Sequence, residues 1–209
     1  MTYKIGIIGS GNIGGTLGKH FAKAGHTVMF SSRNPHELQP LAQAAGPNAQ
    51  VGTVEEAAQF GEVLLLAYPF AKTPEVARQV VAPAGKVLID ANNYYPSRDG
   101  TALGKEMQEK GLLESEWIAS YFPGAHVAKA FNSIQYKGLA ARAFDEGVPM
   151  AIPFGASDEK AREVLEAILA SIGFEGVYLG DLSQTKISQP NEKLYGRQAS
   201  ADEIRQLIG

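Results

Sequence analysis

Gly9, Gly11 and Gly14 stand at the spacing G-x-G-x-x-G, directly after the apolar run Ile5-Gly6-Ile7-Ile8 and directly before a segment in which Ile13, Leu17 and Phe21 recur every four residues. An apolar run without polar alternation is a strand buried on both faces, and the four-residue spacing is the apolar stripe of a helix. The glycines therefore join a buried strand, Tyr3 to Ile8, to a helix that Gly25 ends after Lys23. A strand covered on both faces demands helices on both sides of its sheet, which leaves few architectures open. Gly9 permits the tight turn, Gly11 takes away a side chain so that a pyrophosphate can approach the backbone, and Gly14 lets helix and strand pack closely. Ser10, Asn12 and Ile13 complete a turn whose helix N-terminus offers free N–H groups and about half a positive charge to phosphate. Gly15 follows at once; a glycine there costs about 1 kcal/mol relative to alanine, so close packing or ligand approach is expected.

The same rhythm continues. Thr27 to Phe30, Gln50 to Thr53, Val63 to Ala67 and Val87 to Asp90 read as strands, separated by helices over Leu38 to Ala45, Val54 to Phe60 and Pro74 to Val81, the last capped by Thr73. Asn92 to Pro96 is loop, Leu103 to Lys110 and Glu114 to Tyr121 are helical, and His126 to Phe131 is a strand. Met150 to Gly155 and Gly176 to Leu179 are strands flanking a helix from Asp158 to Ile172, with a carboxylate cap and apolar Ala161, Leu165, Ile168 and Leu169. After a polar loop from Ser183, Ala201 to Ile208 forms a terminal helix. Alternating strands and helices specify an α/β fold, a Rossmann-type doubly wound, mainly parallel sheet, with ligand beyond the carboxyl ends of its strands. With no repeat or linker dividing it, the chain is expected to form one domain over 1–209, in which residues from about 135 onward are a small C-terminal α/β extension completing an acceptor pocket.

The residues after the second strand select the nucleotide. An NAD site carries Asp or Glu about 20 residues beyond the glycines to hold the ribose hydroxyls. Here the chain reads Ser31-Ser32-Arg33-Asn34, with two hydroxyls and a guanidinium and no carboxylate to repel a 2′-phosphate, so NADP(H) is the expected cofactor. His36 either assists or is an ordinary loop histidine. Ala67, Tyr68 and Pro69 follow the fourth strand, and Asn92 and Asn93 the fifth, where the carboxyl-end rule puts the middle and nicotinamide end of a dinucleotide; the asparagines can serve a carboxamide or simply form a turn.

Other classes are disfavoured. Nineteen basic against 22 acidic residues give a net charge of −3, which supplies no field for nucleic acid. The absence of cysteine removes thiolate chemistry and Cys-ligated zinc and accords with a cytoplasmic, reducing setting. His20, His26, His36 and His126 show no paired metal-ligand spacing, so no metal site is expected. The first apolar run is too short for a signal core or a membrane span.

On the opening from Ile5 to Gly14, the Ser31-Ser32-Arg33-Asn34-Pro35 loop, Asp90-Ala91-Asn92-Asn93 and Val127-Ala128-Lys129-Ala130-Phe131-Asn132, the chain resembles the coenzyme F420-dependent NADP oxidoreductases, including NADPH:deazaflavin reductases, and the related reductase domain of six-transmembrane metalloreductases. The resemblance weakens after residue 180. It implies hydride transfer between NADPH and a flat acceptor such as F420, a flavin or a quinone, with Ser32 and Arg33 at the 2′-phosphate. It also implies that Asn132 lines the nicotinamide pocket, that Ser133, Ile134 and Gln135 face the acceptor, and that the protein is a homodimer.

Hydride transfer between two rings needs positioning above all, about 7–11 kcal/mol of which can come from orientation. A carbonyl or imine acceptor would also need a proton donor, for which His126, Lys129, Tyr94 and Tyr195 are candidates, each with an equally ready structural use. Two rival readings stand beside the reductase of a flat acceptor: a reductase of a small carbonyl or imine, and a non-catalytic NADP-binding sensor.

Overall fold

The computed structural model describes residues 1–209. In chain order the elements are β1 (Lys4–Ile8), α1 (Asn12–Lys23), β2 (Thr27–Ser31), α2 (Gln39–Ala45), β3 (Ala49–Gly52), α3 (Val54–Phe60), β4 (Val63–Leu66), α4 (Thr73–Gln79), β5 (Val87–Asp90), α5 (Pro96–Asp99), α6 (Thr101–Lys110), α7 (Glu114–Ser120), β6 (His126–Lys129), α8 (Tyr136–Arg142), β7 (Ala151–Ala156), α9 (Glu159–Ser171), β8 (Glu175–Tyr178) and α10 (Ala201–Ile208). Short 3-10 turns occupy Pro35–Leu38, Phe70–Lys72 and Leu182–Ser188. The eight strands form one sheet in the order β3-β2-β1-β4-β5-β6-β7-β8. Every pairing is parallel except β6 with β7. The order reverses direction between β1 and β4, the switch point at which a doubly wound sheet opens a crevice.

Alternation along the strands feeds two cores. Ile5 and Ile7, Val63 and Leu65, and Val87 and Ile89 point to one face, where Leu17 and Phe21 of α1 and Leu165, Ile168 and Leu169 of α9 cover them. Ile8, Leu64, Leu66, Leu88 and Val127 point to the other, against Ala57 and Ala58 of α3 and Trp117 and Ile118 of α7. Both faces of the central strands are dry, the reason their sequences lack polar alternation. Gly6 is demanded by this packing, since a Cβ there would stand 2.3 Å from the Ala57 carbonyl oxygen. A smaller cluster of Ala151, Val177, Leu194, Ala201 and Ile204 seats α10 on β7 and β8.

Local chemistry sets the helix starts. Thr53 accepts from the Glu56 N–H at 3.2 Å while the Glu56 carboxylate accepts from the Thr53 N–H at 2.7 Å, a reciprocal cap on α3. Asp158 caps α9 through the Ala161 N–H at 3.0 Å, as its sequence indicates. Thr73 behaves otherwise: it is buried inside the first turn of α4 and donates its hydroxyl to the Phe70 carbonyl, so it closes the preceding 3-10 turn instead of capping the helix. The strand expected over His126 to Phe131 stops at Lys129, because Phe131 takes a left-handed φ of 64° that no strand accommodates. Helix α8 follows where the sequence shows no clear apolar stripe. No helix is long and apolar enough to cross a membrane.

Candidate functional site

Two clefts open along the carboxyl ends of the parallel strands and share Tyr68 and Pro69. The smaller, about 280 Å³, lies between the ends of β1 and β2 and the start of α4 and is lined by Gly9, Ser10, Ser32, Arg33, Lys72 and Glu75 among others. The larger, about 610 Å³, runs from Asn12 and Ile13 at the N-terminus of α1 past Asn92 and Asn132 to Tyr95, Tyr136 and Tyr195.

The glycine turn joins them. Gly9 has φ +98°, and a Cβ on it would meet the Ala67 carbonyl oxygen at 2.4 Å; one on Gly14 would meet the Gly9 oxygen at 2.0 Å. A Cβ on Gly11 would meet nothing within 4 Å. Gly9 and Gly14 are thus required by the protein's own backbone, whereas Gly11 clears open space over the start of α1, where a pyrophosphate approaches a helix N-terminus. For Gly15 one of the two expected reasons falls away: a Cβ there would sit at ordinary contact, 3.5 Å from the Ser10 oxygen and 3.6 Å from Leu41, so close packing does not demand it, and ligand approach is the alternative left.

The loop after β2 divides its labour. Ser31 is fully buried and donates its hydroxyl to the Ile7 carbonyl at 2.6 Å. Its backbone N–H and carbonyl are both held by the Ser10 hydroxyl at 3.1 Å. These two serines therefore lock β2 to the glycine turn, which corrects the expectation that the Ser31 hydroxyl is free for phosphate. Ser32 accepts from the Asn34 N–H at 3.1 Å, and the Asn34 amide donates to Glu37 at 3.1 Å. Asn34 and His36 lie outside both clefts. Arg33 is exposed, lines the smaller cleft and makes no ion pair. Lys72, which sequence reasoning missed because it lies in a 3-10 turn 39 positions further on, faces the same cleft and is paired with Glu75 at 2.9 Å. That bond and the Lys72 charge hold the exposed Glu75 carboxyl below its ordinary pKa, with Arg33 adding to the effect.

Beneath the larger cleft lies a buried ion pair. Asp90 and Lys129, neighbours in register at the ends of β5 and β6, are both completely buried, with Lys129 Nζ 2.9 Å from Asp90 Oδ2. Asp90 Oδ1 accepts from the Asn92 N–H at 2.9 Å, and Lys129 also donates to the Asn92 carbonyl. Asn92 Oδ1 accepts from the Tyr68 N–H at 2.8 Å. Both backbone groups and one side-chain atom of Asn92 are thereby fixed, and its Nδ2 is left buried without a partner. Asn132 is held likewise, its Nδ2 donating to Asn93 Oδ1 at 3.2 Å and to the Ser188 carbonyl at 2.9 Å while its Oδ1 has no partner. An unused amide donor and an unused amide acceptor on two cleft-lining residues fit the carboxamide end of a nicotinamide nucleotide. Glu114, buried under this loop, accepts from the Tyr94 N–H at 3.1 Å; burial raises its pKa, partly opposed by the Lys129 charge.

Among the residues expected from sequence, Asn12, Ile13, Ala67, Tyr68, Pro69, Asn92, Asn132, Ile134, Gln135 and Tyr195 share the larger cleft. Ser133 is buried out of it, and Lys129 is a clamp below it with neither its head in solvent nor access to a ligand. His126 stands at the amino end of β6, on the opposite edge of the sheet, bonded to Asp158 at 2.9 Å, so general acid–base work in the cleft is beyond its reach. Tyr94 turns away, packing its ring at a tilt against Phe70 and donating to the Gly100 carbonyl at 2.7 Å. Its neighbour Tyr95, and Arg98, line the cleft instead. Asp99 anchors that loop by accepting from the N–H groups of Tyr95 at 2.9 Å and Ala71 at 3.2 Å. Burial pushes the Asp99 pKa up, but Arg98 and these N–H groups outweigh it and hold the carboxyl low.

Residues 4–94 match the family described as NADP oxidoreductase, coenzyme F420-dependent. The chain is 29% identical over 187 residues to metalloreductase STEAP3 of Rattus norvegicus, covering 88% of this chain and 35% of that protein, so it spans about a third of that relative's length. A hypothetical protein from Sinorhizobium meliloti has the same fold at a TM-score of 0.83 and 27% identity over 96% of each chain. A protein from Arthrobacter sp. FB24, named as a candidate F420-dependent NADP-reductase, superposes at a TM-score of 0.67 and 21% identity over 88% of this chain and 87% of its own, a likeness of fold. The glycine turn, the acid-free loop after β2 and the match over residues 4–94 agree: the first half of the chain is similar to the coenzyme F420-dependent NADP oxidoreductases.

Proposed function

We propose that this protein is an NADPH-dependent reductase whose larger cleft seats a flat organic acceptor against the nicotinamide, with Ser32 and Arg33 selecting NADPH over NADH. The observation that carries the reading is the continuity of the two clefts through Tyr68 and Pro69, with Gly11 and the N-terminus of α1 midway. A dinucleotide laid along that path has its 2′-phosphate at Arg33, its pyrophosphate over Gly11 and its carboxamide above Asn92 and Asn132. When bound, it supplies the hydride. The chain's own residues bind and orient: Ser10 and Ser31 brace the turn, and the Asp90–Lys129 pair fixes Asn92. Apolar and aromatic side chains, Ile13, Phe131 and Ile134 among them, narrow the access of water to the inner end of the cleft. F420, a flavin or a quinone is a planar ring of the kind this apolar and aromatic lining would take.

Direct titration of NADPH and NADH by nicotinamide fluorescence, on the wild type and Arg33→Ala, tests the donor side. A charge-assisted hydrogen bond is worth about 1.5–3 kcal/mol, so Arg33→Ala is expected to weaken NADPH about 10- to 150-fold and leave NADH unchanged. Equal affinity of the wild type for both nucleotides would refute the assignment of the loop. Mixing the NADPH complex with F420, FMN, FAD and menadione while following nicotinamide absorbance tests the acceptor side.

A further inference from the structure

The larger cleft contains a pair of phenols that the nucleotide does not need. Tyr95 Oη and Tyr195 Oη stand 2.6 Å apart, brought together from the loop after β5 and from a segment 100 residues later. Both rings line the cleft and are half-buried. The surrounding amides back this pair from the Tyr95 side. Asn93 Oδ1 accepts from Asn132 Nδ2 at 3.2 Å, which places Asn93 Nδ2 toward the Asn132 carbonyl at 2.8 Å and toward Tyr95 Oη at 3.3 Å. Tyr95 thus accepts from an amide on one side and meets Tyr195 on the other, in a bond that either phenol can donate; when Tyr95 donates it, the Tyr195 proton is free for whatever occupies the cleft.

We propose that Tyr195, backed by Tyr95 and Asn93, is the proton donor to the acceptor, and that the acceptor is an organic molecule with a conjugated carbonyl or C=N group. The inference rests on the reading of the larger cleft as the acceptor site. As hydride arrives, a new C–H bond forms at the acceptor carbon with the hydride's electron pair, and the π pair of the C=O or C=N bond withdraws to the heteroatom. That atom takes the proton from Tyr195 Oη. The phenolate left behind accepts the short hydrogen bond from Tyr95, and water at the cleft mouth returns the proton. A hydride acceptor of this class needs such a donor within hydrogen-bond reach, whereas a bare metal ion taking single electrons does not.

The surroundings suit the role. Burial above all pushes the Tyr195 pKa up to about 12, so the phenol carries its proton at neutral pH. Arg98 lies over the Tyr95 ring at 4.9 Å and is the one ionic residue lining the cleft, which leaves no carboxylate there to compete as the acid. Tyr136 also lines the cleft, but its hydroxyl has no backing donor to receive a phenolate charge, and Tyr68 Oη is buried without a partner and lacks one as well.

The test compares wild type with Tyr195→Phe and Tyr95→Phe in three measurements: NADPH affinity by fluorescence, steady-state reduction of menadione, F420 and 2-methyl-1-pyrroline, and the infrared carbonyl stretch of menadione bound to the NADP⁺ complex. NADPH affinity is expected to stay within about twofold in both variants, because the phenols act on the acceptor. Tyr195→Phe is expected to lower kcat about 100-fold or more for whichever acceptor the wild type reduces, with little change in KM, and Tyr95→Phe by a smaller factor. The bound carbonyl stretch should move to lower frequency in the wild type and return toward its solution value in Tyr195→Phe. Retained kcat in Tyr195→Phe, no stretch shift in the wild type, or a wild type that binds NADPH and reduces none of the three acceptors overturns the inference. A wild type that binds no NADPH overturns the reductase reading itself.

Discussion

Lys129→Met removes the cation from a pair in which both partners are completely buried and 2.9 Å apart. At an effective dielectric constant of about 20 their gross attraction is about 6 kcal/mol, most of it offset by the cost of taking two charges out of water. What the substitution exposes is that cost: Asp90 keeps the Asn92 N–H but loses its counter-charge, and the Asn92 carbonyl loses its donor. Breaking one side of a buried pair costs about 3–5 kcal/mol, which for a chain of this size lowers Tm by roughly 6–20 °C. Asp90→Asn paired with Lys129→Met leaves no buried charge, so the double variant should be more stable than Lys129→Met alone, with a coupling of at least about 2 kcal/mol in a double-mutant cycle. Thermal and urea unfolding measure the stabilities, and NADPH titration reports whether Asn92 is still in place; weaker binding is expected in Lys129→Met, since both backbone groups of Asn92 lean on the pair. A Lys129→Met protein within about 1 kcal/mol of wild type, or a double variant whose loss is the sum of the singles, would refute the clamp.

Gly15→Ala is expected to stabilise the protein by about 0.5–1 kcal/mol in thermal unfolding, because the added methyl meets only ordinary contacts, whereas Gly14→Ala, which drives a methyl to 2.0 Å from the Gly9 oxygen, should destabilise it and displace the nucleotide. Lys72 and Glu75 tune the 2′-phosphate end: Glu75→Gln should tighten NADPH by releasing Lys72 and removing a like charge, and Lys72→Ala should weaken it, both read by fluorescence titration at low and high salt. Acidification should destabilise the fold through His26, which accepts the Tyr3 N–H at 3.0 Å and whose pKa burial lowers below 6.5, with the positive chain terminus lowering it further. The unfolded chain takes up this proton first, so stability falls as pH drops below about 6.5, and the thermal midpoint of His26→Asn should depend less on pH across that window.

The strands and the glycine turn were legible because each rests on local chemistry. An unbroken apolar run reports burial on both faces, and glycine spacing reports where backbones meet. The reversed charge logic of the loop after β2 is visible in five letters. The reading stopped being reliable where a residue's job depends on a partner far away in sequence. Nothing near Ser31 says that its hydroxyl belongs to Ile7, nothing near Lys129 announces a carboxylate 39 residues earlier, and Lys72 reaches the smaller cleft only because β4 lies beside β1. Thr73 and Gly15 show the limit of local rules in the other direction: each has a standard local explanation, and tertiary packing assigns the first a different bond and the second none.

These misplacements follow one physical pattern that bears on the chemistry. Of the four groups that sequence alone offers as acids, His126, Lys129 and Tyr94 are held by bonds to protein, at the wrong edge of the sheet, below the cleft and behind the loop. A titratable group spent on structure is unavailable to a substrate, so the unspent groups carry the functional information. In the larger cleft these are the Asn92 and Asn132 amide atoms and the Tyr68 hydroxyl, which have no partner, and the Tyr95–Tyr195 pair, whose phenols meet only each other and the Asn93 amide. The cleft therefore has two kinds of unused polarity at two places. On the proposed reading a nucleotide satisfies only the first, and the second serves another molecule with an atom that gains basicity as it is reduced.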